Sequence, residues 1–158
     1  NQNFRQTIQS CAQAERPDQE STWIENDMIE DYCKLNELGI AHSIEAYYEN
    51  KLVGGLYGLH MGSSFFGESM FYKKPEASKV CLFKLVEIGI SHNFHFIDCQ
   101  VHTPHLEKMG AVQVPRNIFC FQAQIRSPRL LFRHLPQLPY ISCLPQAVSN
   151  LMDLNKFS

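Results

Sequence analysis

The sequence predicts an α+β fold, a mixed sheet flanked by helices, and three observations predict it. Two helical segments come first, three strands joined by short turns follow, and a long apolar helix then leads into another strand. The strand segments alternate or run apolar over six to nine residues, whereas the helical ones repeat apolar residues every three to four.

Taken in order, Phe4 to Ala14 reads as a helix that ends before Pro17. Asn26 is placed to cap a second helix, in which Met28, Ile29, Tyr32, Leu35 and Leu38 recur at helical spacing and which Gly39 stops. His42 to Tyr48 and Leu52 to His60 flank the turn Glu49-Asn50-Lys51, and Ser64 to Phe71 follows a turn at Gly62, giving an antiparallel meander. Ser78 is expected to cap a long helix with Val80, Leu82, Phe83, Leu85, Val86 and Ile90 apolar. Phe94 to Val101 returns as a strand, His105 to Met109 as a short helix, and a further strand starts at Ala111. The pair Gly54-Gly55 marks a bulge or a close backbone approach. This element order is the one expected of an N-acetyltransferase-like (GNAT-like) fold.

A chain of 158 residues suits one domain; at that size about 68 to 70% of the unfolded surface is buried, enough for a core. The hydrophobic content of 44% is that of a globular protein. No apolar run approaches the roughly 20 residues that span a bilayer. A formal charge of -2 gives no overall pull toward nucleic acid, so any RNA contact has to come from a local patch. Cys11, Cys33, Cys81, Cys99, Cys120 and Cys143 are widely scattered with no C-x-x-C pair and no signal-like N-terminus, which favours reduced thiols and a cytoplasmic protein. The chain starts at Asn1 rather than Met, which leaves room for residues upstream. Residues 1–125 are expected to form the catalytic domain. From residue 126 on, Pro128, Pro136, Pro139 and Pro145 break regularity and the charge is in excess by three positives, so 126–158 reads as a divergent tail, either a basic arm or a poorly ordered end.

Two short segments carry most of the chemistry. In Phe66-Gly67-Glu68-Ser69-Met70-Phe71, strand alternation places Phe66, Glu68 and Met70 on one face, and in Ile97-Asp98-Cys99-Gln100-Val101 it places Asp98 with Gln100. Burying an ionised carboxylate without a partner costs several kcal/mol (~5). Glu68 and Asp98 are therefore expected either to be paired or to line a wet cleft.

Several motifs in a fixed order resemble a known family. Ala41-His42-Ser43-Ile44-Glu45, Leu52-Val53-Gly54-Gly55 with Tyr57-Gly58, Gly67-Glu68-Ser69-Met70-Phe71, Ala77-Ser78-Lys79, Ile97-Asp98-Cys99-Gln100-Val101, His105-Leu106, Gly110-Ala111 and Pro115-Arg116 look like the C-terminal domain of bacterial leucyl/phenylalanyl-tRNA-protein transferases. The match runs from about Thr22-Trp23-Ile24 to Arg116. The family's smaller N-terminal domain, with its basic cluster, has no counterpart in this sequence, and the stretch after Arg116 departs from the family pattern.

The resemblance implies transfer of leucine or phenylalanine from an aminoacyl-tRNA to the N-terminal Arg or Lys of an acceptor protein, which marks that protein for degradation. This is aminolysis of an activated ester and needs no cofactor: an amine is positioned against a carbonyl, its proton removed and the developing charge stabilised. By the same resemblance Gln100 hydrogen-bonds the attacking amine, Asp98 polarises or orients Gln100, and Glu68 meets the basic side chain or ammonium of the acceptor. Leu56, Phe65, Met70, Leu85 and Ile97 line or adjoin a slot for the donor side chain, and Trp23 and Tyr32 lie near the terminal adenosine. Read without the resemblance, the apolar five are plain core, Trp23 covers a core edge, and Tyr32 is a helix-face aromatic.

Other constellations are weaker. His92, His95, Cys99, His102 and His105 fall close together, but their spacing fits no usual zinc site. Cys99 lacks a histidine on its own strand face to activate it. Lys73-Lys74 with Lys79 reads as a solvated turn or a phosphate contact. A coenzyme-A acetyltransferase on the same fold would need a glycine-rich pyrophosphate loop before the long helix, and Phe71 to Lys79 contains no glycine, so no acetyl-CoA binding is expected. A noncatalytic RNA-binding or remnant domain is the other alternative.

Overall fold

The computed structural model describes residues 1–15 and 22–119, and 140–143 as backbone. The tail expected over 126–158 therefore lies outside the described residues, apart from Tyr140–Cys143, which form a strand. Among the described residues the helices are α1 (Phe4–Ala12), α2 (Asn26–Glu37), α3 (Ala77–Ser91) and α4 (Pro104–Lys108). The strands are β1 (Ala41–Tyr48), β2 (Lys51–Met61), β3 (Ser64–Tyr72), β4 (Phe96–Asp98), β5 (Val112–Val114) and β6 (Tyr140–Cys143). The result is an α+β chain with a mixed sheet, as the sequence predicts.

Two compact units make up the chain: Asn1–His60 with Gly67–Leu85, and Met61–Phe66 with the described residues from Val86 onward. In the first, β1 pairs antiparallel with β2 from Ala41↔Leu59 to Tyr48↔Lys51. Glu49 and Asn50 both take positive φ, 49° and 59°, the conformation that matches a two-residue turn to the strand twist. The register slips between Ala46 and Tyr47, so Val53 is the extra residue of a bulge beside Gly54. Gly54 also meets the start of α3: a Cβ there would lie 2.6 Å from the Ala77 Cβ. Both readings of the glycine pair thus hold at one position.

The core of this unit gathers Phe4, Ile8 and Cys11 from α1, Ile24, Ile29 from α2, Ala41, Leu52, Tyr57 and Phe71. Phe4, Ile8 and Cys11 recur at helical spacing, so one stripe of α1 enters the core; each fully buried aliphatic or aromatic side chain stabilises by about 1.5–3 kcal/mol. Asn26 is the first helical residue rather than the cap, and Glu25 precedes the helix without a side-chain cap bond. Its other end closes as the sequence predicts. Gly39 takes φ 72°, its N–H donates to the Asn36 carbonyl at 3.0 Å, and the Ile40 N–H donates to the Leu35 carbonyl at 2.9 Å.

In the second unit Ser64–Phe66 of β3 pairs parallel with β4, as Ser64↔Phe96, Phe65↔Ile97 and Phe66↔Asp98. Parallel neighbours need a crossover connection, which α3 supplies along the chain. β6 then pairs antiparallel with both β4 and β5. Phe96, Val114 and Phe119 form a small core with Phe66 packed against it, the Phe96 and Phe119 rings 5.0 Å apart. Thr103 caps α4 through its Oγ1, which accepts the Leu106 N–H at 3.1 Å, and Pro104 occupies the first turn. Ser78 plays no such part at α3, because Ala77 already opens that helix.

Candidate active site

Asp98 ends β4 and is 3% exposed. Its Oδ1 accepts the backbone N–H of Gln100 at 2.8 Å, and the Val101 N–H then donates to the Cys99 carbonyl at 2.6 Å. A carboxylate that accepts the N–H two residues on offers the chain an alternative to the sheet ladder, and here it wins. The strand expected over Phe94 to Val101 is therefore cut to Phe96–Asp98, and Asp98 and Gln100 do not share a strand face. Gln100 sits instead in the left-handed region, φ 58°, exposed. A non-glycine residue held there costs on the order of 1 kcal/mol and marks a position where the chain is aimed rather than relaxed.

Glu68 lies half-buried near the middle of β3. The Tyr32 hydroxyl of α2 is hydrogen-bonded to it, and burial first, then the negative charge of Glu68, hold the Tyr32 phenol well above its usual range. A phenol kept protonated in this way is a dedicated donor to the carboxylate. The Tyr32 ring is fixed edge-on against Tyr57, centroids 5.2 Å apart at 80°, and Tyr57 meets Phe4 at 6.0 Å. The aromatic stack delivers one polar tip to Glu68. Asp98 thus has a backbone N–H as hydrogen-bond partner and Glu68 a phenol.

Of the remaining candidates, Trp23 is 41% exposed in the segment before α2, a ring available to a planar ligand. Leu56, Phe65, Leu85 and Ile97 are buried, and Met70 is half-buried. Phe65 and Ile97 are register partners on neighbouring parallel strands. Leu56, Met70 and Leu85 belong to the first compact unit with Trp23, Tyr32 and Glu68, whereas Phe65, Ile97, Asp98 and Gln100 belong to the second. Periodicity did not reveal the Tyr32–Glu68 bond, since helix and strand are far apart in sequence. The Asp98 turn did leave a signal: an Asp two residues before an exposed polar residue at a strand end.

A buried carboxylate fixes the backbone of a strained residue, which carries a primary amide into solvent. An amide oxygen accepts a hydrogen bond from an amine, and a paired carboxylate attracts a cation. Among the described residues no group of three or more His, Cys, Asp or Glu side chains is placed to hold a metal ion. Of the histidine run, His102 faces Glu107 at 3.5 Å, and His92 Nδ1 lies 2.9 Å from the Ser91 hydroxyl. Cys11, Cys33, Cys81 and Cys99 are reduced thiols, in no disulfide.

The fold is that of the GNAT acetyltransferases. A GNAT-family acetyltransferase of Staphylococcus aureus superposes with a TM-score of 0.58 over 92% of this chain and 95% of its own, at 13% identity. Sequence then narrows the class. The model of the leucyl/phenylalanyl-tRNA protein transferase family matches residues 1–124, and the chain belongs to that family. A leucyl/phenylalanyl-tRNA--protein transferase of Idiomarina loihiensis is 47% identical over 125 residues, 79% of this chain and 52% of the relative. That of Thermodesulfovibrio yellowstonii is 50% identical over 117 residues, 74% of this chain and 48% of the relative. The chain spans about half the length of the curated relatives it matches. Among the described residues, no helix is long and apolar enough to cross a membrane.

Proposed function

We propose that this chain carries the catalytic machinery of an aminoacyltransferase that moves leucine or phenylalanine from an aminoacyl-tRNA to the N-terminal Arg or Lys of an acceptor protein, producing a degradation signal of the N-degron type in the cytoplasm. The observation that supports it most is the Asp98–Gln100 turn, which lies inside the stretch matched by the family. The acceptor amine attacks the ester carbonyl carbon, a C–N bond forms, the C–O bond to the ribose breaks, and the amine proton leaves toward the departing ribose oxygen. Gln100 offers its amide oxygen to the amine N–H and so orients the lone pair. A neutral amide is too weak a base to keep the proton, so its contribution is orientation. Asp98 acts through the main chain: by holding the Gln100 N–H it fixes where the side chain starts.

Glu68, held by Tyr32, takes the cationic side of the acceptor. Within the first unit Leu56, Met70 and Leu85 are the residues proposed to meet the donor side chain, with half-buried Met70 the adaptable one, and within the second unit the register partners Phe65 and Ile97 are proposed for the same role. Trp23 stacks on the terminal adenosine, an interaction worth about 1–3 kcal/mol per base. The test is transfer of labelled leucine from Leu-tRNA to an Arg-started peptide. Gln100→Ala and Asp98→Ala, the second removing the acceptor of the Gln100 N–H, are each expected to lower kcat/KM by about 10²-fold while the chain still folds. Near wild-type transfer in both variants would make them ordinary polar residues at a strand end and sink the catalytic assignment.

A further inference from the structure

Aminolysis leaves one proton without a destination. The α-amine of an acceptor chain titrates near 8, so close to pH 7 it is mostly ammonium, which has no lone pair to attack an ester. Gln100 is a neutral amide, the Asp98 carboxylate holds a backbone N–H, and Glu68 is engaged by Tyr32. None of the three is suited to take that proton.

His102 stands two residues beyond Gln100, which keeps their Cα atoms within about 7 Å of each other. The chain is fixed on both sides of it. Before it, the Val101 N–H donates to the Cys99 carbonyl at 2.6 Å; after it, Thr103 caps α4 and its carbonyl accepts the Glu107 N–H at 3.0 Å. The side chain of the same Glu107 reaches back, its Oε2 lying 3.5 Å from His102 Nε2. An ionised carboxylate only accepts, so the neutral ring carries its proton on Nε2 and presents Nδ1 as the lone-pair nitrogen. Nδ1 meets no hydrogen-bonding group among the described residues, and the ring is exposed.

We propose that His102 is the proton acceptor of the transfer and that Glu107 is the positioning residue that sets its tautomer, an inference that rests on the aminoacyltransferase reading. Nδ1 takes a proton from the acceptor's ammonium: the N–H bond breaks, imidazolium forms beside the Glu107 carboxylate, and the freed lone pair attacks the ester carbonyl while Gln100 orients the amine. A second amine proton follows the departing ribose oxygen, and the imidazolium returns its own to water. Imidazole suits this step because it exchanges protons near neutrality, where the acceptor amine is still largely charged. Besides Glu107, the titratable groups nearest along the chain are Asp98 and Cys99 before the ring and His105 and Lys108 after it. Asp98 is buried against the Gln100 N–H, whereas His105 and Lys108 are exposed on α4.

The test is kcat/KM for transfer of labelled leucine from Leu-tRNA to an Arg-started peptide by the full chain, from about pH 6.5 to about 8.5. His102→Ala should lose about tenfold near pH 7, the excess of ammonium over free amine at that pH, and come within about twofold of the wild type near pH 8.5, where the amine is largely free without help. Added imidazole should restore this variant near pH 7. It should do nothing for Gln100→Ala, whose loss concerns orientation and should persist at every pH. His102→Gln keeps a donor toward Glu107 but has no basic nitrogen, so it should behave as the alanine variant does. Glu107→Ala should lose less, and nitrogen NMR of the ring should show the Nε2–H form in the wild type and a mixture of tautomers in Glu107→Ala. Melting temperatures should match the wild type, as both positions are exposed. A pH profile unchanged in His102→Ala overturns the proton-acceptor role and leaves the aminoacyltransferase standing, and so does a loss that neither imidazole nor higher pH relieves. A wild-type ring protonated on Nδ1 overturns it without reference to transfer. A chain that transfers no leucine at any pH sinks the aminoacyltransferase reading and this role with it.

Discussion

Gln100 combines two properties that pull apart under substitution: its backbone is in a region glycine prefers, and its side chain carries the proposed chemistry. Gln100→Gly should therefore keep or raise the melting temperature by a few degrees while lowering transfer by about 10²-fold, a pairing that a purely structural residue would not give. Loss of both together would show that the side chain packs rather than reacts. Glu68 is expected to behave differently, because it meets charge and not the reacting atoms. Glu68→Gln should raise the KM for an Arg-started peptide more than it lowers kcat, and Tyr32→Phe should produce a smaller change of the same kind by removing the donor that holds the carboxylate. A fall in kcat at unchanged KM in Glu68→Gln would move that residue into the chemistry.

The element that depends most on a single atom is α3. Its first residue, Ala77, presses on β2 where Gly54 leaves room, and the atoms a new Cβ would meet include backbone carbon at 3.0 Å. Gly54→Ala should destabilise by about 1–3 kcal/mol, read as a lower urea midpoint, because the helix start cannot give way as a flexible side-chain tip would. A neutral result would mean that α3 slides freely over β2. The Arg5–Glu30 bridge, which joins α1 to α2 with an Nη2–Oε2 distance of 2.9 Å, is exposed at both ends and adds little by comparison.

At the scale of the whole molecule, stability should bend at alkaline pH. Burial, and then the charge of Glu45, push the Cys81 thiol up to about 11, from an ordinary value near 9. The folded state thus holds that proton more tightly than the unfolded chain does. Its contribution is complete below about pH 9 and is lost as pH rises toward 11. Tyr32, also raised, extends the loss to higher pH. Urea midpoints should be flat from about pH 7 to 8.5 and fall above 9, and Cys81→Ala should remove most of the fall between 9 and 11. A midpoint that stays flat to pH 11 in the wild type would show the thiol to be reachable by water.

Much of the fold was legible before any coordinate, because it rests on local rules: helical spacing in α1 and α2, Gly39 at a helix end, the turn at Glu49-Asn50, and the glycine pair that lets a helix approach a strand. The residues proposed for catalysis were legible mainly through ordered motifs shared with a family, since single polar residues in a strand have no period to betray them. What tertiary structure alone decided was pairing and exposure. Tyr32 meets Glu68 because two distant elements pack together. Val80, Phe83 and Ile90 stay exposed on a helix that is apolar nearly all round, a pattern that would predict burial on every side. Asp98 ends its strand because a carboxylate outbids the ladder for one N–H, and that competition is settled by geometry, which residue type and spacing do not contain.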